Sequence, residues 1–296
     1  MTTAAVTMVW NDAWFLRRWL DYFSRHLGRE NLYVFAHGGE PEILALCQGA
    51  NVSILPRDQI TVDFDHDRWA LLSHVTSGLT RFYDTVLCLD VDELLIPTTA
   101  DKSLADVLAN LPKGQVWAVP GFELFRSSDD GAELPATDLI APLCRSALFS
   151  PFYSKSCIAG RAVRFTPGGH GLYDEPPEIL TDLALLHLRF VNRSEHLRRR
   201  TLRRQLADNA YTAAKVTVRD MRPSGRLVSW KAADTRHAAI FDLFGNTAEV
   251  DWNTGFASVK AQLPALLRMR DNQHSFGNAA KTDIRTQLPD HSLTLF

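Results

Sequence analysis

Residues 85–97 place three carboxylates directly after a short apolar run, and this feature constrains the fold most strongly. Residues 86–89 have the composition of a buried strand, which must end where Asp90, Asp92 and Glu93 begin, because an unpaired carboxylate is costly to bury. At the carboxyl end of a parallel strand, such side chains reach the crevice where α/β proteins bind ligands. Carboxylates two residues apart are typical ligands of a hard divalent cation that leaves positions open for phosphate oxygens. The turn therefore predicts a metal site beside the diphosphate of a nucleotide-sugar.

A structural role for the same turn stays open. Asp92 can simply cap the segment that follows it, because aspartate is a common capping residue in soluble proteins. Glu93 is either a further ligand or a support for the turn.

Composition narrows the class of protein. The chain has 296 residues, 46% of them hydrophobic, so it can bury the core of one large domain or two smaller ones. A formal net charge of -2 gives no basic field of the kind that nucleic-acid binding uses. Cys47, Cys88, Cys144 and Cys157 are widely spaced, which favours a reducing compartment over a disulfide framework or a zinc site. Without a signal-peptide pattern or a run of membrane-spanning length, we expect a cytoplasmic protein.

Strand-like and helix-like segments alternate through the first third of the chain. Strands are predicted at 4–9, 32–35, 52–55 and 86–89, with helices after Asp12, at 40–47 and around 71–82. Strands that alternate with helical patterns are typical of βαβ units. The predicted fold class is α/β, with a doubly wound and mostly parallel sheet.

The pattern changes beyond the acidic turn. A short helix capped by Ser103, strands at 116–119, 143–149, 155–158, 163–165 and 184–188, and a helix opened by Ser194 are predicted. This part is expected to be mixed or antiparallel, with a helical C-terminal part. We expect one domain at 1–220, divided into a nucleotide-sugar half at 1–97 and an acceptor half at 98–220. Residues 221–296 would form an extension packed on it.

Several segments, in order, resemble one family. The opening at 11–19, NDAWFLRRW, is similar to the N-E-x-x-x-L-x-E-W opening of GT-A fold glycosyltransferases of the family 2 type, near the family 92-like branch. Aspartate replaces the first glutamate and arginine the second. The acidic turn, DVDEL, keeps every acidic position of that family's metal motif. Lys155, His170 and the HLRFVNRS segment at 187–194 follow in the order of its later motifs. The resemblance covers roughly residues 6–205.

The resemblance implies a metal-dependent glycosyltransferase. It would move a sugar from a nucleotide-diphosphate donor to a glycan or glycolipid acceptor, as in bacterial surface polysaccharide synthesis. Mn²⁺ or Mg²⁺ would offset the charge of the leaving diphosphate as a Lewis acid. Asp90, Asp92 and His187 are the implied metal ligands, although His187 is alternatively a core histidine. The candidates for nucleotide or diphosphate contact are Asn11, Asp12, Arg68, Asp90, Lys155 and His170.

The catalytic base is less constrained. An inverting transfer needs a carboxylate within hydrogen-bond reach of the acceptor hydroxyl, whereas a retaining transfer needs no dedicated base. Glu123 follows a predicted strand and is one candidate. Asp174 is the second, and its neighbour Glu175 is a rival in the same Gly/Pro-rich context.

The helix at 193–204 contains six arginines. One interpretation is a solvated helix face packed on its leucines. The other is contact with an anionic surface: a lipid headgroup layer at the inner face of the membrane, an acidic glycan or the donor phosphate.

Two other functions remain possible. In a haloacid-dehalogenase-type phosphohydrolase, Asp90 would be the nucleophile and Asp92 the acid/base. That family carries its motif near the start of the domain and a small residue where Leu94 stands here, which disfavours it. A noncatalytic nucleotide-sugar binder on the same fold is the third possibility, since a fold does not fix a function.

Overall fold

The computed structural model describes residues 2–57, 60–126, 134, 139–215, 233–276 and 283–296, with residues 233–239 as backbone only. The predicted boundary between residues 220 and 221 lies outside the described residues.

The secondary structure alternates as predicted in the first part of the chain. The strands are β1 (Thr3–Val9), β2 (Leu32–His37), β3 (Asn51–Leu55), β4 (Thr85–Cys88), β5 (Glu93–Pro97), β6 (Val116–Val119), β7 (Gly121–Phe125), β8 (Ser146–Phe149), β9 (Lys155–Ala159), β10 (Gly171–Tyr173), β11 (Glu178–Ile179), β12 (Leu183–Phe190), β13 (Glu249–Val250), β14 (Leu267–Arg270), β15 (Gln273–Phe276) and β16 (Arg285–Gln287). The helices are α1 (Ala13–Leu27), α2 (Pro41–Leu46), α3 (Phe64–Leu79), α4 (Leu104–Ala109), α5 (Arg193–Ala214), α6 (Ala233–Asn246) and α7 (Trp252–Leu266).

The first sheet has the strand order β11-β6-β9-β4-β1-β2-β3. Strands β4, β1, β2 and β3 are parallel, and β9 lies antiparallel between β4 and β6. The chain builds outward from β1 to β3, then returns through α3 to place β4 on the other side of β1. The strand order therefore reverses between β1 and β4, and such a switch point opens a ligand crevice at the carboxyl ends of the strands.

Helices α1 and α3 belong to two different apolar clusters. The aromatic stripe of α1, including Phe15 and Trp19, packs with Ala5 of β1, whereas Trp69 of α3 packs with Ala4 and the other residues on that face of β1. Neighbouring strand residues point to opposite faces of a sheet, so β1 supplies both clusters. The first sheet is thus covered on two faces.

The second sheet has the order β13-β16-β8-β7-β12-β5. Strand β5 runs antiparallel to β12, and β12 runs parallel to β7. The chain leaves the first sheet at Cys88, passes through the acidic turn, and enters the second sheet at Glu93. The turn therefore connects the two sheets.

The C-terminal part contains α6 and α7 and also strands. Strand β16 pairs with β8 in the second sheet, and β14 and β15 form a third sheet with β10. The helical prediction missed these short strands. The strand predicted at 163–165 is also absent, because Phe165 makes only an isolated bridge to Leu172 before the glycine turn at Pro167–Gly169.

The predicted fold class is confirmed as α/β, with a doubly wound, mostly parallel first sheet and a mixed second sheet. In the described part of the chain, no helix has the length and apolarity needed to cross a bilayer.

Candidate functional site

The acidic turn is closed by its own glutamate. The backbone N–H of Asp90 donates to Glu93 Oε2 at 2.9 Å, and the N–H of Glu93 donates to the Asp90 carbonyl at 3.1 Å. The Glu93 side chain is fully buried, and burial raises its pKa. Glu93 thus supports the turn. Asp90 keeps 22% of its side chain exposed, whereas the Asp92 side chain is only 3% exposed.

Two cations hold the Asp90 carboxylate. Lys155, at the start of β9, donates to Asp90 Oδ2 at 2.8 Å and pairs with Glu93 Oε1 at 2.5 Å. Arg68, on α3, pairs with Asp90 Oδ1. Burial alone would raise the pKa of Asp90, but Arg68 and Lys155 hold it well below its usual range. Asp90 is therefore ionised, and the predicted Lys155 and Arg68 both lie beside it.

Strand register brings His187 between two acidic residues. His187 of β12 lies opposite Glu93 of β5 on one side and Glu123 of β7 on the other. Its Nδ1 is 2.7 Å from Glu123 Oε2, and its Nε2 is 3.2 Å from Asp92 Oδ2. Burial disfavours the imidazolium, but Glu123 and Asp92 together raise the pKa of His187. Glu123 thus fixes the ring so that Nε2 faces Asp92.

The arginine-rich helix α5 turns a charged side chain inward. Arg199 Nη1 donates to Asp92 Oδ2 at 2.6 Å, and its Nε is 3.0 Å from Asp12 Oδ1. Arg198 donates to the Asn11 carbonyl at 2.6 Å. Burial would raise the pKa of Asp92, but Arg199 and His187 hold it well below its usual range. The solvated-face interpretation is wrong for Arg199, which is 6% exposed and cannot reach a membrane surface.

His170 joins the site through aromatic contacts. Its ring lies 4.0 Å from that of Phe152 and 5.3 Å from that of Tyr153, measured between centroids. Tyr153 in turn stacks on His187 at 4.0 Å. Burial and the charge of Lys155 lower the pKa of His170, so it is neutral. Its buried Nδ1 has no hydrogen-bond partner among the described residues.

The other candidate bases lie in a different environment. Asp174 is exposed and accepts hydrogen bonds from Arg164 at 3.0 Å and Asn272 at 3.1 Å. Arg164 lines a cavity of about 460 Å³ that also includes Trp69. Glu175 pairs with Arg161 at 2.6 Å. These contacts do not link Asp174 or Glu175 to the acidic turn.

The sequence interpretation missed a group at the ends of β1, β2 and β3. The Arg57 guanidinium stacks on the Trp10 ring at 3.4 Å, and its Nη1 lies 2.8 Å from His37 Nδ1. Burial and the charge of Arg57 lower the pKa of His37 to about 4, so the ring is neutral and Nδ1 can accept. Arg57 Nη2 and Glu40 Oε2 are buried without a hydrogen-bond partner among the described residues. The sequence does hint at this group, because Trp10, His37 and Arg57 each come shortly after a predicted strand, and the carboxyl ends of parallel strands border the ligand crevice.

Asp92 and His187 are the side chains of this group with the chemistry to bind a divalent cation. Asp92 Oδ2 and His187 Nε2 are 3.2 Å apart, close to the separation of about 3 Å between adjacent ligands of one ion. The carboxylate on the other ring nitrogen is the usual partner of a metal-bound histidine. Within the described ranges, no three His, Cys, Asp or Glu side chains already converge on one point. Arg199, Lys155 and Arg68 occupy the carboxylate oxygens instead.

Comparison with known proteins gives distant structural similarity. No protein-family model matches the sequence, and no curated protein matches it either. A mannose-1-phosphate geranyltransferase from Thermus thermophilus aligns with 12% identity and a TM-score of 0.28, over 52% of this chain and 50% of that protein. A 4-diphosphocytidyl-2C-methyl-D-erythritol synthase aligns with 16% identity and a TM-score of 0.29, over 47% of this chain and 71% of that one. The chain thus spans about half the length of the Thermus protein.

Proposed function

We propose that the protein is a metal-dependent glycosyltransferase that transfers a sugar from a nucleotide-diphosphate donor to a glycan or glycolipid acceptor. The observation that carries the proposal is the Glu123–His187–Asp92 chain of contacts at the switch point of a doubly wound sheet. A histidine held by a carboxylate and aimed at a second carboxylate is a typical metal-binding arrangement.

Asp90, Asp92 and His187 would hold Mn²⁺ or Mg²⁺. The bound ion would stabilise the negative charge that develops on the leaving diphosphate. In this proposal Glu123 orients His187 and is not the catalytic base, because its Oε2 is committed to Nδ1 at 2.7 Å. Lys155 and Arg68 keep Asp90 ionised. Arg68, with 19% of its side chain exposed, is in this proposal the cation of the pair that meets a phosphate oxygen.

The group at Trp10 supports a nucleoside as part of the donor. A heterocyclic base has a flat face and an edge that offers both donors and acceptors. Arg57 is held flat by Trp10 and His37, and it retains a buried donor at Nη2, while Glu40 retains a buried acceptor at Oε2. Buried polar atoms without partners are rare in folded proteins, and a ligand is one way to satisfy them.

The proposed donor thus extends from Trp10 to Asp92 along the carboxyl ends of the parallel strands. Asn11 and Asp12 lie between these two ends, in the loop after β1. We place the nucleotide-sugar half at residues 1–97 and the acceptor half at 98–220, as the sequence predicts.

The proposal is tested by product analysis. The protein is incubated with Mn²⁺ and a panel of nucleotide-sugars, and separately with simple phosphate monoesters. We expect slow release of nucleoside diphosphate from one donor, as water replaces the acceptor, and no release of phosphate from monoesters. Rapid phosphate release that is lost in Asp90→Asn, without nucleoside diphosphate from any donor, would instead identify a phosphohydrolase.

A further inference from the structure

We propose that Arg199 binds the diphosphate of the donor, and that in the ligand-free protein it serves as the counter-ion of Asp92 until the metal ion takes its place. The inference rests on the proposed function and adds to it a coupling between metal and donor binding. It concerns the arginine-rich helix α5, for which the sequence leaves open a solvated face or contact with a lipid surface, an acidic glycan or the donor phosphate.

Arg199 occupies the position from which such an exchange can occur. Its Nη1 donates to Asp92 Oδ2 at 2.6 Å, the same oxygen that lies 3.2 Å from His187 Nε2. A metal ion bound between Asp92 and His187 would therefore compete directly with Arg199 for one carboxylate oxygen. Two cations on that oxygen repel each other strongly where little water screens them.

Arg199 also contacts the loop after β1, where the proposed donor binds. Its Nε pairs with Asp12 Oδ1 at 3.0 Å, in the loop after β1 that also carries Trp10. Its guanidinium also lies 4.5 Å from the Phe15 ring centroid, which limits the positions that it can take. Loss of the Asp92 contact would leave Arg199 at the crevice with free N–H donors.

Other arginines add positive charge next to Arg199. Burial, and then the charges of Arg199 and Arg189, lower the pKa of Arg203 to about 10. Arg189, at the end of β12, lies 5.6 Å from the Tyr153 ring that stacks on His187. Nearby acidic groups raise the pKa values of Arg199 and Arg189, so both are charged. An anion with several oxygens would interact favourably with this group of guanidinium ions.

The charges in the site link the binding of the divalent cation to the binding of the diphosphate. In the ligand-free protein, the Asp92 carboxylate is already paired with Arg199, and the Asp90 carboxylate with Lys155 and Arg68. A divalent cation entering alone would add uncompensated positive charge to a site with little water, which is costly. A diphosphate entering with it restores the balance and gives Arg199 a new partner.

The test is calorimetry on the full-length chain, with Arg199→Gln and Arg199→Lys compared with wild type. The matched control is Arg204→Gln, at an exposed position of the same helix. Each protein is titrated with Mn²⁺ alone, and then with inorganic pyrophosphate and a panel of nucleoside diphosphates at saturating Mn²⁺. We expect Arg199→Gln to bind Mn²⁺ alone about tenfold more tightly and the phosphate ligands about tenfold more weakly, since a charge-assisted hydrogen bond is lost. Arg199→Lys should change both affinities in the same directions by less.

If Arg199 only supported the fold, its replacement would weaken the binding of both Mn²⁺ and diphosphate. An increase in Mn²⁺ affinity together with a decrease in diphosphate affinity therefore distinguishes the proposed role from a structural one. If Mn²⁺ and diphosphate affinities fall together, or neither changes, the inference fails while the proposed function stands. If wild type binds no nucleoside diphosphate with Mn²⁺, both fail. Arg199→Lys keeps a positive charge beside Asp92, so the comparison can still be made if Arg199→Gln does not fold. An Arg204→Gln variant that changes as Arg199→Gln does would also overturn the inference, because the effect would then belong to the net charge of the helix.

Discussion

At the residue scale, the position of Glu123 in the second sheet gives it a different proposed role from the one that the sequence suggests. As a carboxylate after a predicted strand, it was a candidate base, but β-sheet register sets its side chain against His187 Nδ1. A carboxylate in this position raises the basicity of the ring and strengthens its bond to a metal ion. We propose that Glu123 acts on the metal through His187.

Glu123→Gln should weaken Mn²⁺ binding by about tenfold or more, the usual effect of removing such a partner, with the melting temperature little changed because glutamine keeps a hydrogen bond to Nδ1. Mn²⁺ titration by calorimetry measures this. Glu175→Gln, at an exposed surface ion pair, is the matched control and should bind Mn²⁺ as wild type does. If Glu123→Gln binds Mn²⁺ as wild type does but has a much lower kcat, Glu123 is the catalytic base and not a support for His187.

Part of the candidate site can be predicted from the sequence at this scale. Asp90 and Asp92 were identified because carboxylates after an apolar run have few structural explanations, and His187 because of its motif. Arg199 was not, because an arginine in an arginine-rich helix has no local feature that separates a buried position from a solvated one. Only the packing of α5 against Asp12 and Asp92 makes that distinction.

At the scale of elements, Gly121 lets β7 approach the turn before β9. A Cβ at this position would lie 2.1 Å from the Tyr153 carbonyl oxygen and 2.6 Å from the Ser154 amide nitrogen. Backbone atoms cannot move aside as a flexible side chain does. The close approach keeps Tyr153 and Lys155 beside His187 and Asp90.

Gly121→Ala should therefore lower the free energy of unfolding by about 2 kcal/mol or more, a typical cost of overpacking, and weaken Mn²⁺ binding as well. Urea denaturation measures the first effect. Gly78→Ala is the control, since a Cβ there meets no atom within 4 Å and the residue lies in α3. It should leave stability unchanged or raise it by up to about 1 kcal/mol. Equal stability of the two variants would mean that the contact at Gly121 is unimportant.

The elements themselves were predicted unevenly. Strands β1 to β4, β6, β8, β9 and β12 overlap the predicted strands, because each contains a short run rich in apolar residues. Strand β5 was missed, since its apolar residues follow directly on the carboxylates and the turn was assumed to end the strand pattern. Strands β13 and β16, with two and three residues, are too short to show any periodicity.

For the whole molecule, the C-terminal residues contribute to the main core. Trp252 and Phe256 of α7 lie 5.4 Å and 6.2 Å from the Phe122 ring, between centroids, and Val259 and Leu263 belong to the same apolar cluster. Each buried side chain of this kind contributes about 1.5–3 kcal/mol, so together they match the net stability of about 5–15 kcal/mol of an ordinary protein.

Removal of residues 221–296 should therefore abolish cooperative unfolding. The truncated chain also loses β16 beside β8 and β15 beside β10. Thermal melts followed by near-ultraviolet circular dichroism test this, with the full-length chain as reference. A cooperative transition in the truncated chain, near the wild-type temperature, would show that the first 220 residues fold alone.

We propose that Asp92 and His187 recruit a divalent cation that binds the donor diphosphate. The most direct measurement is calorimetry of wild type, Asp92→Asn and the exposed control Asp67→Asn with a panel of nucleoside diphosphates, in the presence of Mn²⁺ and of a chelator. We predict that Mn²⁺ strengthens the binding of at least one nucleoside diphosphate by tenfold or more, about 1.4 kcal/mol, in wild type and Asp67→Asn. Asp92→Asn should lose this dependence on Mn²⁺. Equal affinity with and without Mn²⁺ in wild type, or an unchanged Mn²⁺ effect in Asp92→Asn, would contradict the account.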